Sequence, residues 1–260
     1  MPFKASSASS PEAILRGTIV ALVLAAWWGL WLWGRSPYGH LLLHGPAHIH
    51  MAAARPAWFV AVFASGWTLM TVAMMLPTSL PLILLFHRMV RDRATSSWLV
   101  SLLIAAYLGV WALCGVLLLL LNGFLHAGVA SVSWLATKPW IVGAVILTIA
   151  GLYQFSSLKY ACLDKCRSPL SFLMSRWQGG NESVQAMRIG VEHGLFCVGC
   201  CWSLMLLMFL VSTGSLLWML LLGVVMALEK NLSWGRRLSA PIGVLLLLSA
   251  AVVLVGGVQA

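Results

Sequence analysis

Apolar runs succeed one another along almost the whole chain: Ile14 to Trp33, Trp58 to Phe86, Trp98 to Leu121, Trp140 to Leu158, Gly190 to Val211, Ser215 to Leu228 and Ala240 to Val258. Crossing a bilayer core takes ~20 predominantly apolar residues. Inside hydrocarbon every backbone N–H and C=O must find its partner within the segment, which leaves helices as the solution for runs of this length. The expected fold is an all-α integral membrane bundle of about seven transmembrane helices. It forms one polytopic domain over residues 14–260 behind a disordered cytoplasmic tail, residues 1–13. Hydrophobic residues make up 61% of the chain and charged residues 8%, against roughly 45–50% and 25% in soluble domains. That composition excludes a separate soluble enzyme domain. The run from Ile14 is too long for a signal-peptide core and lacks a small-residue cleavage site, so it reads as an uncleaved first span.

Charge tests the count independently, because basic residues gather on the cytoplasmic side of membrane helices. Lys4, Arg16, Arg88, Arg91, Arg93, Lys159, Lys165, Arg167, Arg176, Arg188, Lys230, Arg236 and Arg237 fall in the N-terminal segment and the second, fourth and sixth loops. Arg35, Arg55 and Lys138 are the rest of the 16 basic residues, and they fall in the first and third loops. This alternation places the N-terminus inside and the C-terminus outside. A net charge of +10 carried by inter-helix loops orients a membrane protein and gives no nucleic-acid signature. The expected location is a cytoplasmic (inner) membrane, crossed several times.

Two irregularities are legible. Pro77 and Pro81 near the end of the overlong second run predict a kink that frees backbone carbonyls. The fourth loop, about Lys159 to Ile189, predicts one or two short interfacial helices, with Trp177 at headgroup level and Asn181 as an N-cap ahead of Glu182. The turn Ser212-Thr213-Gly214-Ser215 predicts a tight hairpin between the fifth and sixth runs.

The fifth run opens VEHGLFCVGCCWSLMLLM, and on a helix His193, Cys197, Cys200 and Cys201 share a stripe of roughly 100°. Histidine with cysteine is the ligand set of zinc and of copper(I), and such groups within a span face the bundle interior. Met70, Met74 and Met75 lie just before the proline kink of the second run, and thioether sulfur prefers copper(I). At ~1.5 Å per residue, Cys197, Cys201, Met74 and Met75 fall at similar depth in the inner half of the membrane. Tyr153, Gln154 and Glu229 fall toward the same side. Packing alone also accounts for small cysteines and flexible methionines in a membrane core. In the first outer loop His40, His44, His48 and His50, with Met51, form a tract suited to collecting metal ions. Cys162 and Cys166, one turn apart at the inner interface, are expected to be reduced thiols that pack there or pass a metal onward.

Three blocks, WTLMTVAMMLPTSLP from Trp67, LYQFSSLKYACLDKCRSPLSF from Leu152 and AMRIGVEHGLFCVGCCWSLMLLMF from Ala186, followed by LEK at Glu229, resemble the predicted metal-binding integral membrane proteins grouped as domain of unknown function 2182. The resemblance covers roughly Trp58 to Lys230. It implies a bacterial or archaeal membrane protein with a metal site on Met74, Met75, His193, Cys197, Cys200, Cys201 and Glu229, and leaves the reaction open. The outer histidines stand outside it.

Three functions fit these residues. The first is transition-metal handling, with copper favoured over zinc, by transport or membrane chaperoning alongside a metal-delivery or operon partner protein. The second is a subunit of a copper-dependent membrane oxidoreductase. The third is a membrane thiol-disulfide protein using Cys197 and Cys200. The phosphate-binding loop G-x-x-x-x-G-K-[ST] is absent, so ATP-driven pumping would need a partner.

Overall fold

The computed structural model describes residues 11–35, 57–131, 138–178, 180–209 and 216–259. The described residues form the helices α1 (Pro11–Arg35), α2 (Ala57–Met74), α3 (Leu76–Val90), α4 (Ser96–Ser131), α5 (Pro139–Tyr153), α6 (Ser157–Arg167), α7 (Pro169–Arg176), α8 (Glu182–Leu206), α9 (Leu216–Asn231) and α10 (Ser239–Gln259). Short 3-10 turns follow α8 and precede α10. His40, His44, His48, His50 and the expected hairpin turn at Ser212–Ser215 lie outside the described residues, as does nearly all of the N-terminal tail. Helix begins at Pro11, inside the segment expected to be disordered, with proline in the first turn where its missing N–H costs nothing.

α1, α4, α8 and α10 are long and apolar enough to cross a membrane, and the count rises to six if each of two bent pairs is one span. Among the described residues, the expectation of about seven spans meets four to six. Its sixth run corresponds to α9, whose 16 residues span about 24 Å at ~1.5 Å each, short of a ~30 Å core. The second run does break at the prolines: α2 and α3 meet at 68°. Pro77 sits in the first turn of α3 and cannot donate back to the preceding turn. The Met75 carbonyl at the break accepts bonds from Thr78 Oγ1 at 2.8 Å and Tyr107 OH at 3.4 Å. The fourth run breaks at Gln154 to Ser156, with α5 and α6 at 62°. Ser156 caps α6 by accepting from the Lys159 N–H at 3.1 Å.

Asn181 is an N-cap, its side chain accepting from the Val184 N–H. The helix it opens is α8 itself, continuous through the cysteine stripe, and the separate short helices over this stretch are α6 and α7.

Small residues set the closest approaches, as in membrane bundles generally. A Cβ on Gly194 of α8 would meet Val110 of α4 at 2.9 Å, and one on Gly199 would meet Cys162 Sγ of α6 at 2.6 Å. Gly190 lies against the Leu103 carbonyl. The outer faces are apolar and exposed, among them Leu113, Leu117, Leu195, Leu217, Leu245, Leu248 and Val252, while Gln154, Lys159, His193, Ser203, Glu229 and Lys230 are buried. This inversion of the soluble pattern suits a lipid solvent.

Ion pairs gather the basic segments at one end of the bundle. Arg88 beyond the middle of α3 pairs with Glu12 of α1 at 2.5 Å, Arg93 pairs with Glu182 at the start of α8, and Arg236 pairs with Asp164 of α6 at 3.3 Å. The N-terminal segment and the second, fourth and sixth loops are thereby linked hand to hand.

Candidate metal centre

α8 carries His193, Cys197, Cys200 and Cys201 on its buried face, none more than 4% exposed. The Cys200 and Cys201 thiols both turn back toward the Cys197 carbonyl, at 3.2 and 2.8 Å. Thiols bonded to the preceding turn in this way hold fixed positions without a metal. From the α2–α3 break comes Met75, fully buried, with its Sδ 3.8 Å from Cys201 Sγ. Two sulfur ligands at ~2.3 Å from one ion, at trigonal or tetrahedral angles, stand about 3.8–4.0 Å apart. The Met75–Cys201 pair therefore has a spacing that one soft ion can bridge. Tyr107 of α4 closes another side, with its hydroxyl 3.1 Å from Cys197 Sγ.

Lys230, near the end of α9, fills the middle. Its Nζ is 3.0 Å from Cys197 Sγ, 3.4 Å from Thr78 Oγ1, 3.7 Å from Met75 Sδ and 3.9 Å from Cys201 Sγ. An ammonium thus stands where Cys197, Cys201 and Met75 converge. Among the described residues no group of three or more His, Cys, Asp or Glu side chains closes on a point that would hold a metal ion. The convergent groups are two thiols and a thioether, soft donors of the kind that suit copper(I), zinc or iron–sulfur centres.

The sequence profile of the PpoB2 family, described as copper chaperone, matches residues 64–253. The chain belongs to the PpoB2 copper chaperone family. No curated protein and no solved structure matches it. The matched stretch runs from α2 into α10 and contains Met75, Cys197, Cys200, Cys201 and Lys230.

The other residues singled out by sequence stand at different distances from this cluster. His193 bonds Ser79 Oγ through Nε2 at 3.1 Å and stacks on Tyr107 with ring centroids 5.5 Å apart. Met74 lies against Gly223 of α9, and Met70 is buried in the same apolar core. Glu229 departs most from its expected role. Its carboxylate is 2.8 and 3.1 Å from Lys159 Nζ and accepts from Ser239 Oγ at 2.7 Å. Lys159 also donates to Gln154, and Arg167 clamps the Glu229 and Ser233 carbonyls. Both oxygens of Glu229 are thus committed to a buried network that ties α9 to α6 and the start of α10. Tyr153 donates to the Gly199 carbonyl at 2.5 Å, holding α5 against α8.

Sequence reasoning missed Lys230, Tyr107 and Thr78 as parts of this cluster. Lys230 had been assigned to the basic loops. Its signal was an acid and a base side by side at the end of an apolar run, since a charge so placed needs a buried partner. Tyr107 and Thr78 gave none, because a tyrosine or threonine in a span is ordinary until its neighbour is known.

Proposed function

We propose that this protein is a membrane-embedded copper chaperone that holds Cu(I) between Met75 Sδ, Cys197 Sγ and Cys201 Sγ, with Cys200 beside them. The observation that carries the reading is the convergence of those three sulfurs on the Lys230 ammonium. Thiolate, not thiol, is the metal ligand. Two thiolates and a neutral thioether around Cu(I) make a centre of charge −1, and a buried charge needs a partner. Lys230 supplies it: moved aside by a side-chain rotation, its ammonium neutralises the loaded centre. Zinc, with charge +2, would leave ammonium and centre unbalanced and gains nothing from a thioether. Family membership supports copper as the cargo.

His193 and Tyr107 position the Cys197 side of the centre, Met70 and Met74 line its apolar wall, and Glu229 fixes α9 so that Lys230 reaches it. The N-terminus and the basic end face the cytoplasm of a bacterial or archaeal cell. The outer-loop histidines His40, His44, His48 and His50 collect the ion on the opposite side, and a metal-accepting partner protein receives it.

Full-length protein purified in detergent should bind one Cu(I) in competition with bicinchoninate. Met75→Leu/Cys201→Ser, which conserves volume, should lower that affinity on the order of 100-fold while the far-ultraviolet circular dichroism stays unchanged. Undiminished affinity in this folded double variant would overturn the assignment.

A further inference from the structure

Cys166 ends α6 at the basic end of the bundle, beside the exposed Lys165 and Asp164, and is itself partly exposed. Its Sγ is 3.9 Å from Cys200 Sγ, which is buried. This spacing matches the Met75–Cys201 pair and falls within the about 3.8–4.0 Å that two sulfurs sharing one ion adopt. The alignment has a cause in the fold: Gly199 lets α6 approach α8 until Cys162 touches its backbone, and Cys166, one turn on, then reaches Cys200. Cys200 and Cys201 are consecutive, so α8 presents one thiol to α6 and the next to Met75. Lys230 Nζ stands 3.0 Å from Cys197 Sγ and 3.9 Å from Cys201 Sγ, so the ammonium sits against those thiols, while Cys166 and Cys200 face each other on the α6 side.

We propose that Cys166 and Cys200 form a second, two-thiol site for Cu(I), through which the ion passes between the basic end of the bundle and the Met75/Cys197/Cys201 centre. The proposal rests on the copper reading above and adds a route to it. Copper remains Cu(I) throughout. The ion exchanges its bonds to Cys166 and Cys200 for bonds to Cys201, Cys197 and Met75; Cys197 and Cys201 each give up a proton as they take it, and Cys166 and Cys200 each take one back as they release it. Soft thiolates suit such exchange because Cu(I) held at the bent angle this spacing allows has room for a further sulfur before losing the first.

The test uses full-length protein in detergent under reductant, loaded with one equivalent of Cu(I) and mixed rapidly with excess bicinchoninate. Cys166→Ser, and Cys166→Ala as a second variant, should slow copper transfer on the order of ten-fold while equilibrium affinity stays at the wild-type value. Cys162→Ser should match wild type in both. In Met75→Leu/Cys201→Ser, X-ray absorption should find the remaining copper bound by two sulfurs, and adding Cys166→Ser should abolish that binding. Wild-type transfer rates in both Cys166 variants would overturn the route. Loss of equilibrium copper in Cys166→Ser would overturn it too, by making Cys166 part of a single centre. An empty Met75→Leu/Cys201→Ser protein would remove the second site but leave the inner one standing, whereas wild-type protein that takes up no Cu(I) would sink both readings together.

Discussion

Two buried lysines meet the end of α9, and their surroundings differ in kind. Lys159 is fully buried against the carboxylate of Glu229, which is 2% exposed, with Gln154 and Ser239 completing the network. Lys230, one residue beyond Glu229, is 7% exposed and finds two thiols, a thioether and a hydroxyl. The first cation has a permanent anion, so its pair is complete in the metal-free molecule and can only hold helices together. The second has partners that, on the copper reading proposed above, become anionic only as the ion binds. The contrast teaches that a buried charge marks structure where its counter-charge is built in, and marks function where the counter-charge must arrive with a cargo.

The comparison breaks most visibly at Lys159. Replacing it by methionine leaves the Glu229 carboxylate buried without its cation, a loss of about 3–5 kcal/mol. The expected result is a large fall in the yield of monodisperse protein and in its melting temperature, with partial recovery in Lys159→Met/Glu229→Gln, where both charges are gone. A Lys159→Met protein that melts like wild type would show that the pair carries no such burden.

Lys230→Met should do the opposite: the fold persists, because the residue's partners are neutral without metal, and Cu(I) affinity falls about ten-fold, or ~1.4 kcal/mol, for want of the balancing charge. Bicinchoninate competition measures this. Tighter binding would mean that the ammonium competes with copper, and the two lysines would then differ in sign as well as in partner.

The smallest effect is expected from Ser239→Ala, which removes one donor from Glu229 and should cost about 1 kcal/mol of stability, read as a modest drop in melting temperature. Copper affinity should not change. If it does, the two networks are coupled through the Glu229–Lys230 step and are not separable regions.

Features governed by local composition were legible in the chain itself. The apolar runs specify helices because lipid offers the backbone no other partner. Pro77 breaks the second run because a missing N–H acts within one turn, and Asn181 caps α8 through a bond spanning three residues. The alternation of basic loops anticipated the end at which Glu12, Arg88, Arg93, Glu182, Asp164 and Arg236 pair. The cysteine stripe of α8 was visible as a face for the same reason, since helical periodicity fixes which residues look the same way.

Which faces meet was decided only by the tertiary structure. The contact of Lys230 with Met75 joins residues 155 apart and that of Cys201 with Met75 joins residues 126 apart. No periodicity reports a rotation of α9 that sends Glu229 to Lys159 and its neighbour Lys230 to the thiols. Depth along a helix follows from counting residues, which is why Met75 and Cys201 were expected at one level. Azimuth follows from packing, where Gly190, Gly194 and Gly199 let α8 seat closely on α4 and α6. The chain thus specified the sulfur-bearing side chains and their depth, and the close packing of helices selected which of those side chains meet.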